Sequence, residues 1–318
     1  MDTKRGREMQ ITRRELILIS SIGGLAGCID QSEKRLQGGK SFDRESIYFL
    51  VAGSLLTSME RGLKNEVQIP LRIEAHGSVS IAQMVKAGLK NPDIISVSDP
   101  ILFEGVIKPK WHVEFATNQM VIAYNKDTDA GKLIADSGLK KWYEPILEYD
   151  MKIGRTDPDL DPLGYRTLFL LDLSEQYYEE ANLKEKILSK SLVLPEIELM
   201  SYFEIGGVDV AIVYKNMAVE RGYDYVELPS EINLGSPEKV DEWYSKTEYK
   251  LQTGEKITGD VIKYASTIWT EKTDSEVIDV FQNHISGGYL LESGFVLPER
   301  YPRILGDIPK KIERAITS

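Results

Sequence analysis

Two consecutive copies of one local pattern constrain this chain more than any other feature. Residues 46–51 form an apolar run (Ser46, Ile47, Tyr48, Phe49, Leu50, Val51), and Ala52, Gly53 and Ser54 turn it into a helical stretch reaching about Lys64. Residues 71–75 repeat the run, Gly77 and Ser78 repeat the turn, and residues 79–89 are again helical in their spacing. A third apolar run follows at residues 93–97. Strands alternating with helices predict a parallel α/β sheet, whose ligands lie beyond the carboxyl ends of the strands. Ser54 and Ser78 both fall there, each at a helix start where hydroxyl and backbone N–H donate together. Either serine alone reads as a helix cap. Two serines in equivalent turns mark a candidate anion site.

A second element has the same geometry. Residues 154–166 follow a short apolar run (151–153) and precede an amphipathic one (167–178), which places them on a strand-to-helix turn. Pro162 suits the first helical turn, where its missing N–H costs nothing. The N–H groups of Leu163, Gly164 and Tyr165 then point out of the helix start, where backbone donors and the helix dipole attract anions. Asp157, Asp159 and Asp161 flank this terminus. They occupy the first, third and fifth places of a calcium loop, but Pro162 stands where that loop needs glycine and Leu168 where it needs an acid. A structural turn with Asp caps is the other plain reading.

With 318 residues the chain has room for two lobes, and its net charge of −11 argues against a nucleic-acid surface. A bound anion must therefore be held by local dipoles. The chain has one cysteine, so no internal disulfide forms, and His76, His112 and His284 show no ligand spacing. Arg13 and Arg14 precede a short apolar run (16–22), and Leu25, Ala26, Gly27 and Cys28 resemble the lipobox of secreted lipoproteins. The run is well short of the ~20 residues that a membrane span needs. Residues 1–28 therefore read as an export signal, with Cys28 lipidated, and the twin arginine suggests the folded-protein route. Residues 29–45 read as a polar tether.

Further along, residues 113–124 read as a long apolar run that crosses between lobes, and 225–228 as the return crossing. Residues 196–204 read as a helix, 208–214 as a buried strand, and Lys215 as the start of another helix. Residues 235–259 are polar with little periodicity and read as a surface excursion. Residues 261–268 read as a strand and 275–285 as an amphipathic helix, with a tail packed around Leu297, Ile304 and Ile308. Lobe 1 is then residues 46–120 plus 230–318, and lobe 2 is residues 121–229.

Taken together, the segments 52–55, 77–79, 118–124, 154–166, 210–215, 227–234 and 257–259 resemble the archaeal-type tungstate/molybdate-binding lipoproteins of ABC importers. The resemblance covers roughly residues 46–310. Its most specific parts are the Asp-Pro motif ending at Tyr165 and Arg166, and Ile232, Asn233 and Leu234. It implies an α/β periplasmic-binding-protein type II fold with two α/β lobes, two hinge crossings and closure on a ligand between them. Carried over by residue, it implies that Ser54 and Ser78 donate from lobe 1, and that the Leu163 N–H and the Tyr214 hydroxyl donate from lobe 2. Asp161, or else Asp157, would approach the metal of the oxyanion, and the turn before the helix at Glu196 would add a backbone donor. The family's second carboxylate stands just before the tyrosine, where this chain has Val213, so a coordination number below six is expected. The resemblance also implies a monomeric extracytoplasmic lipoprotein at the outer face of the cell membrane. It would have an ABC permease as partner and tungstate or molybdate as ligand, with no cofactor.

Tungstate and molybdate are dianions without a proton at neutral pH, which neutral dipoles can hold without a counter-charge. A carboxylate in such a site repels the dianion unless it ligates the hexavalent metal, which sulfur in sulfate does not permit, or accepts the proton of hydrogen phosphate. Phosphate, sulfate and small organic acids are therefore the rival ligands. A hydrolase using paired Asp residues is the rival class, but no nucleophile elbow or metal-binding motif is present.

Overall fold

The computed structural model describes residues 45–136, 141–271 and 273–317. The export signal, Cys28 and the tether lie outside the described residues. The repeated pattern folds as read. β1 (Ile47–Ala52), β2 (Leu71–His76) and β3 (Ile94–Val97) are parallel, with β1 between the other two. Five of the six β1 residues are buried, as expected of a parallel strand covered on both faces. β4 (Trp111–Asn118), fully buried, ends this part of the sheet.

At Gln119 the chain passes into a second, five-stranded sheet. It comprises β5 (Met120–Tyr124), β6 (Ile153–Arg155), β7 (Ser191–Val193), β8 (Val210–Tyr214) and β9 (Asp224–Glu227), in the order β7-β6-β8-β5-β9. After β9 come a short hairpin of β10 (Glu248–Lys250) and β11 (Lys256–Thr258), and then β12 (Ile262–Ile268) and β13 (Arg303–Gly306). The last two complete the first sheet antiparallel to β4, giving the order β13-β4-β12-β3-β1-β2. The long apolar run at 113–124 is thus two strands in two sheets joined by one residue.

The helix Pro162–Tyr178 begins at Asp161, whose side chain caps it by accepting from the Leu163 N–H, with Pro162 at its first position. The helices Glu196–Glu204 and Lys215–Val219 start at the residues expected.

The helix expected after β1 is present and continuous from Gly53 to Glu66, but it is not regular: it opens as a 3₁₀ turn (Gly53–Leu55), runs as α (Leu56–Ser58), widens into a π segment (Met59–Leu63) and closes as α (Lys64–Glu66). Gly62 lies within the π segment, and a Cβ there would meet the Tyr289 Cβ at 2.4 Å, so only glycine allows this close approach. The excursion at 235–259 runs over the surface as read, mostly exposed or half-buried, and carries its own anchors. Tyr244 is fully buried, with its hydroxyl bonded to the Ser230 carbonyl, and Leu251 and Ile257 are buried beside the hairpin. Single apolar anchors, rather than a periodic face, fix this segment. Among the described residues no helix is long and apolar enough to cross a membrane.

Candidate functional site

The carboxyl ends of strands from both sheets point toward each other. β1 delivers Gly53 and Ser54, β2 delivers Gly77 and Ser78, and β3 delivers Ser98 and Asp99. From the second sheet, β6 leads into Thr156 and Asp161, β7 into Glu196, and β8 ends on Tyr214. Ser54, Ser78, Asp161, Leu163, Glu196, Val213 and Tyr214 are all buried.

Asp161 divides its two oxygens between structure and site. Oδ1 accepts from the Leu163 N–H at 3.2 Å, which is the helix cap. Oδ2 and the Thr156 hydroxyl are both buried without a well-formed hydrogen bond, although Thr156 stands near enough to lower the Asp161 carboxyl. Burial raises the Asp161 carboxyl from its ordinary 3.8 to about 7; Thr156, the Leu163 N–H and Arg166 act the other way. A buried acceptor without a partner costs stability, and such groups concentrate where a ligand completes them.

Glu196 was expected to matter only through the backbone near it. Its side chain is what reaches the site. Oε2 accepts from the Gly53 N–H at 2.8 Å and Oε1 from the Ser54 N–H at 3.0 Å. Burial first, then the charge of Asp161, push this carboxyl well above its ordinary range, against the opposing pull of the Ser54 hydroxyl and the two N–H groups.

The Ser54 Oγ accepts from the Tyr264 hydroxyl at 2.9 Å, and its own hydroxyl acts on the Glu196 carboxyl. The Ser78 Oγ accepts from the Ser98 N–H at 3.1 Å and lies 3.2 Å from the Ser98 hydroxyl. The Tyr214 hydroxyl accepts from Arg166 Nη1 at 2.8 Å, which leaves its proton free to donate. The same guanidinium donates to the Ser98 carbonyl at 2.6 Å and to Asp99 Oδ2 at 2.9 Å, and Asp99 also accepts from the Tyr165 hydroxyl at 2.7 Å. Arg166 therefore joins elements of both sheets behind the hydroxyls, its charge matched by Asp99.

A further link between the sheets is the Ser80 N–H donating to the Leu160 carbonyl at 3.1 Å. A cavity of about 240 Å³ opens beside these links, with Gly77, Ser80, Thr156, Asp157, Asp161 and Glu196 among its walls. Ser54, Ser78, Leu163 and Tyr214 stand outside its lining.

The other expectations sort on the same contacts. The Leu163 N–H is engaged by Asp161 rather than free. Val213 pairs with Val121 inside the second sheet and presents no polar atom. Asp157 Oδ1 accepts from the Asp159 N–H at 2.9 Å. Asp159 turns away to Tyr249 at 3.0 Å and to the Gln252 backbone at 2.9 Å. Asp159 thus turns away while Asp157 and Asp161 share the cavity wall, so the three do not converge as a calcium loop requires. Among the described residues no cluster of three or more His, Cys, Asp or Glu is placed to hold a metal ion. Thr156, Ser98, Arg166 and Tyr264 were not singled out as site residues. Of these only Arg166 carried a signal, as the charged end of the Asp-Pro motif.

Residues 52–287 match the family of bacterial extracellular solute-binding proteins. The chain belongs to this family. Among the relatives of this solute-binding protein is one of Haloferax volcanii with the provisional name of ABC transporter molybdenum-binding protein. It is 36% identical over 294 residues, covering 90% of this chain and 91% of the relative. Another is the molybdate/tungstate-binding protein WtpA of Pyrococcus abyssi, 30% identical over 287 residues, covering 78% of this chain and 80% of the relative. Among solved structures, the periplasmic molybdate-binding protein of Azotobacter vinelandii superposes with a TM-score of 0.50 at 12% identity, over 80% of this chain and 100% of that one. At that identity the likeness shows the fold, a periplasmic-binding-protein type II arrangement of two α/β lobes. The family is one of solute carriers, not enzymes.

Proposed function

We propose that this solute-binding protein captures tungstate or molybdate between its two lobes and delivers it to an ABC permease. The observation that carries the reading is the buried Oδ2 of Asp161, which has no well-formed hydrogen bond and belongs to a residue lining the cavity between the two sheets. The Ser54, Ser78 and Tyr214 hydroxyls are neutral donors, suited to oxo groups that carry no proton. Asp161 Oδ2 has a lone pair to offer a hexavalent metal that accepts more than four oxygens. Val213 offers none, so a sixth oxygen has no source at that position. The names of the Haloferax and Pyrococcus relatives support the same ligand class.

The finer parts of the reading come from the sequence. Export through the signal at residues 1–28, lipidation at Cys28 and a tether at 29–45 place the domain at the outer face of the cell membrane as a monomer. The lobes are residues 46–120 plus 230–318 and residues 121–229.

One observation favours a second ligand. A carboxylate oxygen with no well-formed hydrogen bond also suits the proton of hydrogen phosphate. Thermal unfolding with tungstate, molybdate, sulfate and phosphate separates the two, because a bound ligand raises the midpoint by mass action. The proposal expects a rise with tungstate or molybdate and little with sulfate or phosphate. Equal shifts from sulfate and tungstate would overturn it.

A further inference from the structure

We propose that Asp159 is a positioning residue: the hairpin of β10 and β11 grips it, fixing the turn that presents Asp161 and clasping the two lobes together. The clasp itself does not depend on the ligand; its effect on binding rests on the oxyanion reading of the cleft. Asp159 lies two residues before Asp161, on the turn from β6 into the helix Pro162–Tyr178. Its carboxylate accepts three hydrogen bonds from the hairpin. Oδ2 accepts from the Tyr249 hydroxyl at 3.0 Å and from the Gln252 side-chain amide at 3.0 Å, and Oδ1 accepts from the Gln252 N–H at 2.9 Å. Bonds to a charged acceptor are the stronger class. Two ring pairs extend the grip along the helix. Tyr249 stacks on Tyr165 with centroids 6.5 Å apart, and Trp243 meets Tyr177 edge-on at 5.9 Å.

The hairpin is rooted in the other lobe. It continues into β12 of the first sheet, the Gly259 N–H donates to the Thr247 carbonyl at 2.9 Å, and the Tyr244 hydroxyl donates to the Ser230 carbonyl. Its return arm also touches lobe 1: a Cβ on Gly105 would stand 3.7 Å from the Glu255 Cγ. One arm therefore meets the helix of lobe 2 and the other meets lobe 1. The turn that carries Asp159 is also held by lobe 1 directly. The Asp157 carbonyl accepts from the Leu160 N–H at 3.2 Å and the Asp161 N–H at 3.0 Å, which makes the turn one unit. The Ser80 N–H, in the helix Ser78–Lys86, donates to the Leu160 carbonyl at 3.1 Å. A Cβ on Gly77 would stand 2.4 Å from that carbonyl oxygen, so only glycine permits the approach. Asp161 thus sits on a turn fixed by lobe 1 and by the hairpin together.

These contacts coexist only while the lobes are closed. Opening the cleft must undo either the grip on Asp159 or the hairpin's contact with lobe 1, because the hairpin is fastened to both. The clasp therefore adds to the stability of the closed form, and an enclosed ligand leaves only after it yields. It acts on departure rather than arrival, because an approaching anion meets an open cleft in which the clasp is already undone.

The experiment measures lobe separation and ligand dissociation in the wild type and in two variants. Tyr249→Phe combined with Gln252→Ala removes both side-chain donors and leaves the Asp-Pro turn intact. Asp159→Ala removes the acceptor and serves if the double variant folds poorly. Cys28 is the only cysteine, so in a Cys28→Ser background the changes Leu89→Cys and Ile205→Cys give one nitroxide label on each lobe, both at exposed positions. Pulsed electron paramagnetic resonance then reads the distance between the labels. Without ligand, the clasp predicts a longer-distance population in both variants that exceeds any in the wild type. After loading with sodium tungstate, it predicts dissociation faster by roughly tenfold, the worth of one hydrogen bond to a charged group, with association no slower. Loosening of the hairpin alone would move neither the labels nor the rate. An unchanged label distance would overturn the proposal, and so would an unchanged dissociation rate. If no protein binds tungstate, the oxyanion reading fails. The labels then decide the clasp alone, a longer variant distance supporting it and an unchanged one overturning it.

Discussion

Replacing Asp161 with Asn should stabilise the ligand-free protein at alkaline pH while it weakens the response to tungstate. The cap survives the change, because Asn caps helices as well as Asp does and its Oδ1 still accepts from the Leu163 N–H. The charge does not survive. Burial lifts the Asp161 carboxyl from 3.8 to about 7, so the folded protein holds this proton more tightly than the unfolded chain. The stability this contributes is fully present below pH 4 and is lost as pH rises through about 7. At roughly 1.4 kcal/mol for each tenfold change in proton affinity, the wild type gives up about 4 kcal/mol across that window. The charge of Asp161 also raises Glu196, so the relief is shared and about 2–4 kcal/mol is expected from Asp161→Asn at pH 8. At roughly 2–4 °C per kcal/mol this is a rise in Tm of about 5–10 °C. At pH 4 the wild-type carboxyl is protonated and the two proteins should melt together. Circular-dichroism melting from pH 4 to 8, with and without tungstate, reads all of this. A variant that melts lower than wild type at pH 8, or by a pH-independent difference, would refute the reasoning.

Three further outcomes follow from the same contacts. Arg166→Met breaks a buried pair with Asp99 and strands the Ser98 carbonyl, which should cost about 3–5 kcal/mol and lower Tm by roughly 10 °C; a Tm within about 2 °C of wild type would contradict it. Cys28→Ser should move the protein from the membrane fraction to the soluble fraction on cell fractionation, and unchanged membrane association would dispose of the lipid anchor. X-ray absorption at the metal edge of the tungstate complex should count fewer than six oxygens in the wild type, and a Val213→Glu variant should gain a longer metal–oxygen distance. A six-oxygen shell in the wild type would refute that role for Val213.

The fold was legible wherever local pattern and tertiary position agree. The strand, Gly-Ser turn and helix units at the N-terminal end of the domain are periodic, and the apolar runs became β1, β2 and β3. The helix starts at Pro162, Glu196 and Lys215 follow from proline preference and apolar spacing. Legibility stopped where a few anchors do the work. The segment at 235–259 is pinned by Tyr244, Leu251 and Ile257 at no regular interval. Its Tyr249 and Gln252 hold Asp159, so two stretches that read as separate surface features are one contact. The helix after β1 packs closely at Gly62 against a side chain from far along the chain, Tyr289, of which its own residues give no hint.

The candidate site divides in the same way. Ser54, Ser78 and Asp161 were legible because each sits on a turn with its own grammar. Glu196 was not, because an acidic residue in the first turn of a helix is ordinary dipole chemistry, and its bonds run to Gly53 and Ser54 in the other lobe. Arg166 lay in plain view within the Asp-Pro motif. Its use, as a fork joining Tyr214, Ser98 and Asp99, depends on three chain segments meeting.

The most direct test of the central claim is an equilibrium titration of the domain from Phe42 onward with tungstate, followed by calorimetry, with sulfate as the matched control. The account predicts saturable binding of one tungstate per chain, with sulfate weaker by about a hundredfold, equivalent to about 2.7 kcal/mol. Equal affinities for the two anions, or no binding of tungstate at millimolar concentration, would contradict it.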